Sequence, residues 1–240
     1  MSVRLGPRDM WAGQWLSEMR GAPMGVVADL LGTSETNAYR VVTRWRAAGM
    51  VMNKVVRPVP GPQWVVPNPD AAAALLGFYV QPWMPGPKDA RHLELTARVR
   101  LALAGNEIGE DSWVSERLLR RSDTQRQIGF GGERPHLHDG HWTDDFGRLH
   151  AIEVELTRKG SSDLRNTVAA AFAAAKAVGA HDLIYYCGTD EVAARVKKAA
   201  EAVLRPSAKD PDFVVQPLSG LLNPKPEAGR GGLSAAGGAA

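Results

Sequence analysis

The sequence contains a single cysteine, Cys187, among its 240 residues. One thiol excludes an intramolecular disulfide and a zinc site built from several cysteines. Cys187 lies in the apolar run DLIYYC, and we interpret it as a buried thiol because free cysteine packs like a small hydrophobic residue.

Long apolar runs are also missing. The first residues, MSVRLGPRDMW, lack the apolar segment of a secretory signal peptide. No stretch approaches the roughly 20 apolar residues that a membrane-spanning helix needs. We therefore expect a cytoplasmic protein that does not enter a membrane.

The charge is close to balanced, with a net charge of +3 and 23% charged residues. The hydrophobic fraction of 44% is typical of a globular protein, and the length suits one large domain or two small ones. The isoelectric point near 9.1 permits a nucleic-acid partner but does not require one.

The sequence patterns divide the chain into four parts. Residues 1–76 show three helical patterns followed by the β-rich runs MVMNKVVR and QWVVP, an order that predicts a winged helix-turn-helix domain. Residues 77–90 are rich in Pro and Gly and predict a linker. Residues 91–221 mix helices and strands and predict a three-layer α/β domain with a mixed sheet, α+β overall, while the low-complexity residues 222–240 predict a disordered tail.

The third helix of the first domain has the features of a recognition helix. Ala38, Val41, Val42 and Trp45 recur at helical spacing and predict a buried face, whereas the other face is polar. Polar side chains of these types contact base edges and phosphates of double-stranded DNA. The predicted DNA-binding residues are Thr36, Asn37, Tyr39, Arg40, Thr43, Arg44 and, in the hairpin, Lys54 and Arg57. The alternative is a winged helix that binds protein, with these side chains merely solvated.

Adjacent acids in the segment HAIEVELTRKG, residues 150–160, indicate a metal site. A strand places Glu153 and Glu155 on one face, and Asp139 in HLHDG can join them from the preceding strand. Carboxylates that converge in this way bind Mg²⁺ or Mn²⁺, which assists phosphodiester hydrolysis. Lys159 or the adjacent Arg158 is predicted to orient the water or stabilise the charge on the phosphate. With Lys159 taken as this cation, the predicted catalytic residues are Asp139, Glu153, Glu155 and Lys159.

Three histidines, His136, His138 and His141, surround Asp139 in the sequence. On a strand, His136 and His138 share a face, which suits two imidazole ligands of a transition metal. No second cysteine or distant ligand pair completes such a site. We therefore interpret the histidines as a hydrogen-bonding patch, with metal ligation as the alternative.

These motifs resemble two related groups of proteins. Asp139 followed by Glu153-Val-Glu155 on the next strand and then a helix resembles the PD-(D/E)XK nuclease superfamily. The segments WVSERLLRR, PHLHDGHW and AIEVELTRK after a winged helix are similar to the replication-relaxation family of actinobacterial mobile elements. Two departures stand out: His138 occupies the place of the expected proline, and Glu155 that of the expected lysine, which Lys159 would have to replace.

The resemblance implies a role in replication or transfer of a plasmid or integrative element, and replication or transfer proteins as partners. Two main functions remain open from the sequence. One is a Mg²⁺-dependent DNA endonuclease or nickase; the other is a non-catalytic DNA-binding regulator or origin-binding factor in which a degenerate nuclease fold serves homodimer formation or DNA clamping. A protein-binding adaptor is a third.

Overall fold

A computed structural model describes residues 4–106, 112–127 and 136–223. The protein is a mixed α/β structure with a five-stranded mixed sheet, which confirms the predicted fold class at this level. Within the described ranges, no helix has both the length and the apolar character needed to cross a membrane. Most of the predicted tail, residues 224–240, lies outside the described residues.

The N-terminal part consists of helices around one apolar core. Trp15, Leu16, Val42 and Trp45 are among its fully buried side chains. Ser34 caps the third helix by accepting a hydrogen bond from the backbone of Asn37, as Ser does at helix N-termini. The helices are α1 (Pro7–Glu18), α2 (Met24–Leu30), α3 (Glu35–Ala47) and α4 (Pro69–Leu76).

The predicted β-hairpin is less regular than expected. Strand β2 (Trp64–Val65) pairs with β1 (Ala22–Pro23), which lies between α1 and α2. The first predicted run forms only isolated bridges, Val51 to Pro67 and Val56 to Trp64. Prolines lack a backbone N–H group, which explains why regular pairing fails along this segment.

The C-terminal sheet has the order β3-β4-β5-β6-β7. The first three strands are antiparallel neighbours, and β6 and β7 then extend the sheet in parallel with β5. The strands are β3 (Trp113–Ser115), β4 (Gly140–Thr143), β5 (Leu149–Glu155), β6 (Asp182–Cys187) and β7 (Asp212–Pro217); the helices are α5 (Pro87–Ala104), α6 (Glu116–Gln127), α7 (Ser161–Ala177), α8 (Asp190–Val203) and α9 (Leu218–Leu222).

Successive side chains of β5 point to opposite faces of the sheet and contribute to two different apolar cores. Ala151 faces a core shared with α7 and α8, whereas Ile152 and Val154 face a core shared with α5 and α9. Glu153 and Glu155 therefore lie on the Ala151 face, because side chains two residues apart share a face of a strand.

Helix α5 joins the two parts of the molecule. It begins at Pro87, so residues 87–90 of the predicted linker are helical. Ala97 belongs to the N-terminal core, while Val99 belongs to the core beneath the large sheet. The buried guanidinium of Arg100 forms an ion pair with Glu18 of α1 at 2.9 Å. The connection between the two parts is therefore packed against both of them and is not a flexible linker.

Candidate functional site

The exposed face of α3 carries most of the predicted DNA-binding side chains. Thr36, Asn37, Tyr39 and Arg40 are exposed, and Ala38 between them is fully buried. Lys54, in the irregular hairpin, is exposed as well. This face therefore presents one guanidinium, one amide and one phenol side by side to solvent.

Three of the predicted residues already have partners within the protein. The guanidinium of Arg44 lies 2.5 Å from the carboxylate of Asp9 in α1, and the same carboxylate accepts a hydrogen bond from the indole of Trp45. The hydroxyl of Thr43 donates to the carbonyl of Tyr39. Arg57 donates to the carbonyl of Gly61, at the tip of the hairpin. Arg44 thus fastens α3 to α1, a role that helical spacing alone does not reveal.

The predicted acids gather where β4 begins and β5 ends. One oxygen of Asp139 accepts a hydrogen bond from the backbone N–H of Val154 at 2.7 Å, which holds this carboxylate beside β5. Glu153 and Glu155 lie on that strand and are largely buried, with 12% and 8% of their side chains exposed. Asp139 lies 14 residues before Glu153 in the sequence, so the sheet register brings it beside the two glutamates of β5.

Lys159 reaches back to the same site. Its ammonium group lies 2.7 Å from the carboxylate of Glu155, and its charge also acts on Glu153 and His136. Glu155 accepts a second, longer hydrogen bond from the hydroxyl of Thr157 at 3.4 Å. Lys159 therefore belongs to the cluster.

His92 of α5 is a site residue that sequence reasoning missed. Its imidazole forms a 2.9 Å hydrogen bond with the other oxygen of Asp139. Burial alone would lower its pKa, but the hydrogen bond and charge of Asp139, with Glu153 and Glu155, raise the pKa to about 9. Glu94, two residues further along α5, pairs with Arg91 and Arg98.

The three histidines occupy two different environments. His136 forms a 2.7 Å hydrogen bond with Glu153. His138 is buried, with one ring nitrogen 3.0 Å from the carbonyl of Ala171 in α7 and the other 3.1 Å from His141. The carbonyl can only accept, so the nitrogen that faces Ala171 carries the proton and the other nitrogen is free to accept.

Two of these histidines form a group that could hold a metal ion. A metal ion could be held by one ligand atom from each of three residues, His136, His138 and Glu153. These three atoms lie within 4.8 Å of one another. Glu153 supplies the third donor that was missing from the histidine motif. The resulting set is not the predicted set of three carboxylates, although Glu153 belongs to both.

Burial and like charge shape the titration of the cluster. Burial raises the pKa of Glu153 to about 7, the hydrogen bond from His136 opposes this, and the negative charge of Asp139 adds to it. Burial lowers the pKa of His138 to about 4, so its ring is neutral at neutral pH. A neutral imidazole is the form that binds a metal.

Tyr185 of β6 is a second residue missed in the sequence. It lies opposite Glu153 in the parallel β5–β6 register and is fully buried. Its hydroxyl has no hydrogen-bond partner among the described residues. Burial and then the carboxylates of Glu153, Glu155 and Asp139 raise its pKa, so the phenol stays protonated beside the acids.

Comparisons with protein families, with curated proteins and with solved structures found no match for this chain. The chemistry of the cluster and of α3 is therefore the basis on which a function is assigned.

Proposed function

We propose that the protein binds double-stranded DNA through α3 and hydrolyses a phosphodiester bond at a metal-dependent site formed by Asp139, Glu153, Glu155 and Lys159. One observation carries the proposal above all: Lys159, which stands outside the expected motif, lies 2.7 Å from Glu155 inside the acidic cluster.

The order of elements supports a PD-(D/E)XK-type interpretation. From α5 to β6 the chain forms a helix, an antiparallel strand, the inserted helix α6, two further antiparallel strands, a helix and a parallel strand. Asp139 precedes the second of these strands, and Glu153 and Glu155 end the third. In the N-terminal part, three helices followed by an irregular hairpin support a winged helix-turn-helix.

The donor groups fit a divalent cation. Three carboxylates suit Mg²⁺ or Mn²⁺, whereas the set of His136, His138 and Glu153 favours Mn²⁺ or another transition metal, because imidazole is a poor ligand for Mg²⁺. A bound cation would supply Lewis-acid stabilisation of the charge that develops on the phosphate.

The chain's own residues have separable tasks in this proposal. The backbone N–H of Val154 and the imidazole of His92 orient Asp139. The ammonium group of Lys159 balances Glu155 and is placed to hold an anionic phosphate near the acids. Because the pKa of Glu153 is raised to about 7, this carboxyl can exchange a proton near neutral pH.

The hydrolysis is tested with supercoiled plasmid DNA and Mg²⁺ or Mn²⁺. We expect nicking by the wild-type protein and a loss of at least about 100-fold in Glu153→Gln, since removing one preorganised electrostatic group costs roughly 10²–10³ in rate. Glu153 belongs to both donor sets. Asp139→Asn and His136→Gln then distinguish the two donor sets in calorimetric titration with Mn²⁺. Loss of binding in Asp139→Asn alone indicates the three carboxylates, and loss in His136→Gln alone indicates the set of His136, His138 and Glu153.

The matched control for Glu153→Gln is Glu94→Gln, which removes a carboxylate that pairs with Arg91 and Arg98 of α5. The matched control for Lys159→Met is Lys198→Met. Lys198 is exposed on α8. Equal activity of Glu153→Gln and the wild-type protein, or intact plasmid with both metals, contradicts the hydrolysis and leaves the non-catalytic DNA-binding function.

Duplex binding is tested separately at α3. Arg40→Ala is expected to weaken binding of a duplex about 10-fold, because one arginine contact to a base contributes roughly 1–3 kcal/mol. Binding is measured in EDTA by fluorescence anisotropy. The control Arg205→Ala removes an exposed arginine just after α8, and equal losses in both variants would show that α3 is not the binding surface.

A role in replication or transfer of a mobile element extends this proposal, and it rests on the motif resemblance. Homodimer formation and partner replication or transfer proteins stay predictions of the same kind. The alternative function, a non-catalytic DNA-binding regulator, predicts the same loss of duplex binding in Arg40→Ala but no nicking by the wild-type protein.

A further inference from the structure

A cleft of about 470 Å³ shares no lining residue with the acidic cluster, and its volume is within the size range of small-ligand sites. One wall is the segment between α4 and α5, residues 78–83, and the other is the first half of α6. Arg20, which follows α1 after its C-cap, also lines the cleft. The cleft therefore forms where the N-terminal helices meet the C-terminal part.

The cleft is strongly cationic. Its lining includes four arginines, and among the described residues that line it none is acidic. Glu116 pairs with Arg20 at 3.3 Å and also with Arg120. The arginines are Arg20, Arg117, Arg120 and Arg121.

The cations lie close enough to repel one another. Arg117 donates to the carbonyl of Ser17, so its guanidinium is held in place. Burial and then the charge of Arg20 lower the pKa of Arg117 to about 10. The group remains charged at neutral pH, and an anion in the cleft would relieve the repulsion.

Aromatic rings line the same cleft. Arg121 lies over the ring of Phe78, with 5.4 Å between its guanidinium carbon and the ring centroid. Trp83 is partly buried, whereas Tyr79 is 81% exposed. A tyrosine this exposed contributes little to the core, so its ring is free to pack on a ligand.

We propose that this cleft binds a nucleotide unit, an aromatic base with its phosphate, presented by single-stranded DNA or as a free nucleotide. Guanidinium groups pair with phosphate oxygens, and aromatic side chains stack on bases regardless of sequence. Tyr79 and Trp83 provide the stacking surfaces, and Arg117 and Arg121 the phosphate contacts.

The site is separate from both parts of the proposed function. Its residues belong neither to α3 nor to the acidic cluster. Arg20 and Arg117 also lie near His92 and Asp139, so the substitutions are made at Tyr79 and Arg121, which do not. A negative result for duplex binding or for nicking therefore leaves nucleotide binding by the cleft untouched. A negative result for nucleotide binding likewise leaves the two proposed functions untouched.

The test measures binding of a fluorescent oligothymidylate to the full chain in EDTA. Tyr79→Ala is expected to weaken binding about 10-fold, and Tyr79→Phe to restore it, since the ring and not the hydroxyl stacks. Arg121→Gln is expected to weaken binding about 5-fold and to reduce its dependence on salt, because one phosphate contact is lost. Duplex binding is expected to stay within about 2-fold of wild type in each variant, since α3 is unchanged.

The matched controls are Phe146→Ala and Arg148→Gln. Phe146 is 83% exposed, and the guanidinium carbon of Arg148 lies 5.1 Å from its ring centroid. This surface pair therefore has the same chemistry without lining the cleft. Neither control variant is expected to change oligothymidylate binding.

Competition identifies the source of the nucleotide. Unlabelled competitors are compared at equal concentrations of nucleotide units. If thymidine monophosphate displaces the fluorescent oligomer as well as a longer oligomer does, the site binds a free nucleotide. If only the longer oligomers displace it, the site binds single-stranded DNA. Both results support the inference. Equal displacement by inorganic phosphate, equal binding by Tyr79→Ala and wild type, or no binding of either ligand overturns it.

Discussion

The protonated form of the His92 imidazole is stabilised by carboxylates that lie on other segments of the chain. Asp139 contacts it at 2.9 Å, and Glu153 and Glu155 act on it through space. The sequence around it, RHLELTARVR, reads as an ordinary amphipathic helix, and no spacing rule connects position 92 with position 139. Only the packing of α5 on the sheet makes this residue part of the site.

A pH dependence of stability follows from the raised pKa of His92. The pKa rises from 6.5 in the unfolded chain to about 9 in the folded protein. The stabilisation is therefore complete below pH 6.5 and is lost as the pH rises through about 9. Because 38% of the side chain is exposed, solvent screening reduces the effect.

The measurement is the free energy of unfolding in urea and EDTA across that pH range. Wild type is expected to lose more stability than His92→Gln as the pH rises. His181→Gln, which removes an exposed histidine just before β6, serves as the control and should follow the wild-type curve. Parallel curves for wild type and His92→Gln would show that the Asp139 contact does not stabilise the charged ring.

At the scale of elements, the pairing of β3 with β4 depends on Gly140. A Cβ atom at this position would lie 1.9 Å from Cζ2 of Trp113, so the indole occupies the space that any other side chain needs. Trp113 is buried in the core beneath the sheet. The glycine that follows Asp139 in the motif HLHDG therefore serves packing, and it places Asp139 at the start of β4.

We expect Gly140→Ala to destabilise the protein by about 1–3 kcal/mol, the usual cost of overpacking a core. Nicking is expected to fall as well, because Trp113 can move aside only if β3 or β4 shifts. Gly220→Ala is the control, since an added Cβ in α9 meets only Pro217 at 3.5 Å. Urea unfolding compares the two variants, and equal stabilities would mean that the indole relocates at no cost.

Secondary structure was predicted best where apolar spacing was regular. The core of α3 and the alternation along β5 follow directly from residue periodicity. The hairpin after α3 was predicted too regular, because the prolines between Arg57 and Gln63 leave only bridges. Helix α5 begins earlier than predicted, since proline is favourable in the first turn of a helix.

At the scale of the whole molecule, the two parts share α5. Apolar residues on one face of this helix enter the N-terminal core, and others enter the core beneath the sheet. The buried pair of Arg100 and Glu18 and the exposed pair of Arg98 and Asp29 cross the same boundary. The exposed face of α3 and the acidic cluster are thus held in a defined relation.

This sharing predicts one cooperative unfolding transition. Tryptophan fluorescence and far-ultraviolet circular dichroism are expected to report the same midpoint in urea. Glu18→Gln is expected to lower the stability by about 3 kcal/mol, because it removes the charged carboxylate that lies 2.9 Å from the buried guanidinium of Arg100. Both probes should shift together.

The exposed Glu201→Gln on α8 is the control and should change stability by less than about 0.5 kcal/mol. Two resolved transitions in the wild-type protein, or a shift in only one probe for Glu18→Gln, would show that the parts unfold independently.

The sequence by itself determined the mixed α/β class, the buried face of α3 and the shared face of Glu153 and Glu155, because each depends on periodicity within one element. Tertiary structure decided the rest. It placed His92 and Lys159 among the acids, gave His136 and His138 a third donor in Glu153, bound Arg44 to Asp9, and opened the arginine-lined cleft beside α6. These outcomes depend on contacts between segments far apart in the chain, which local spacing does not encode.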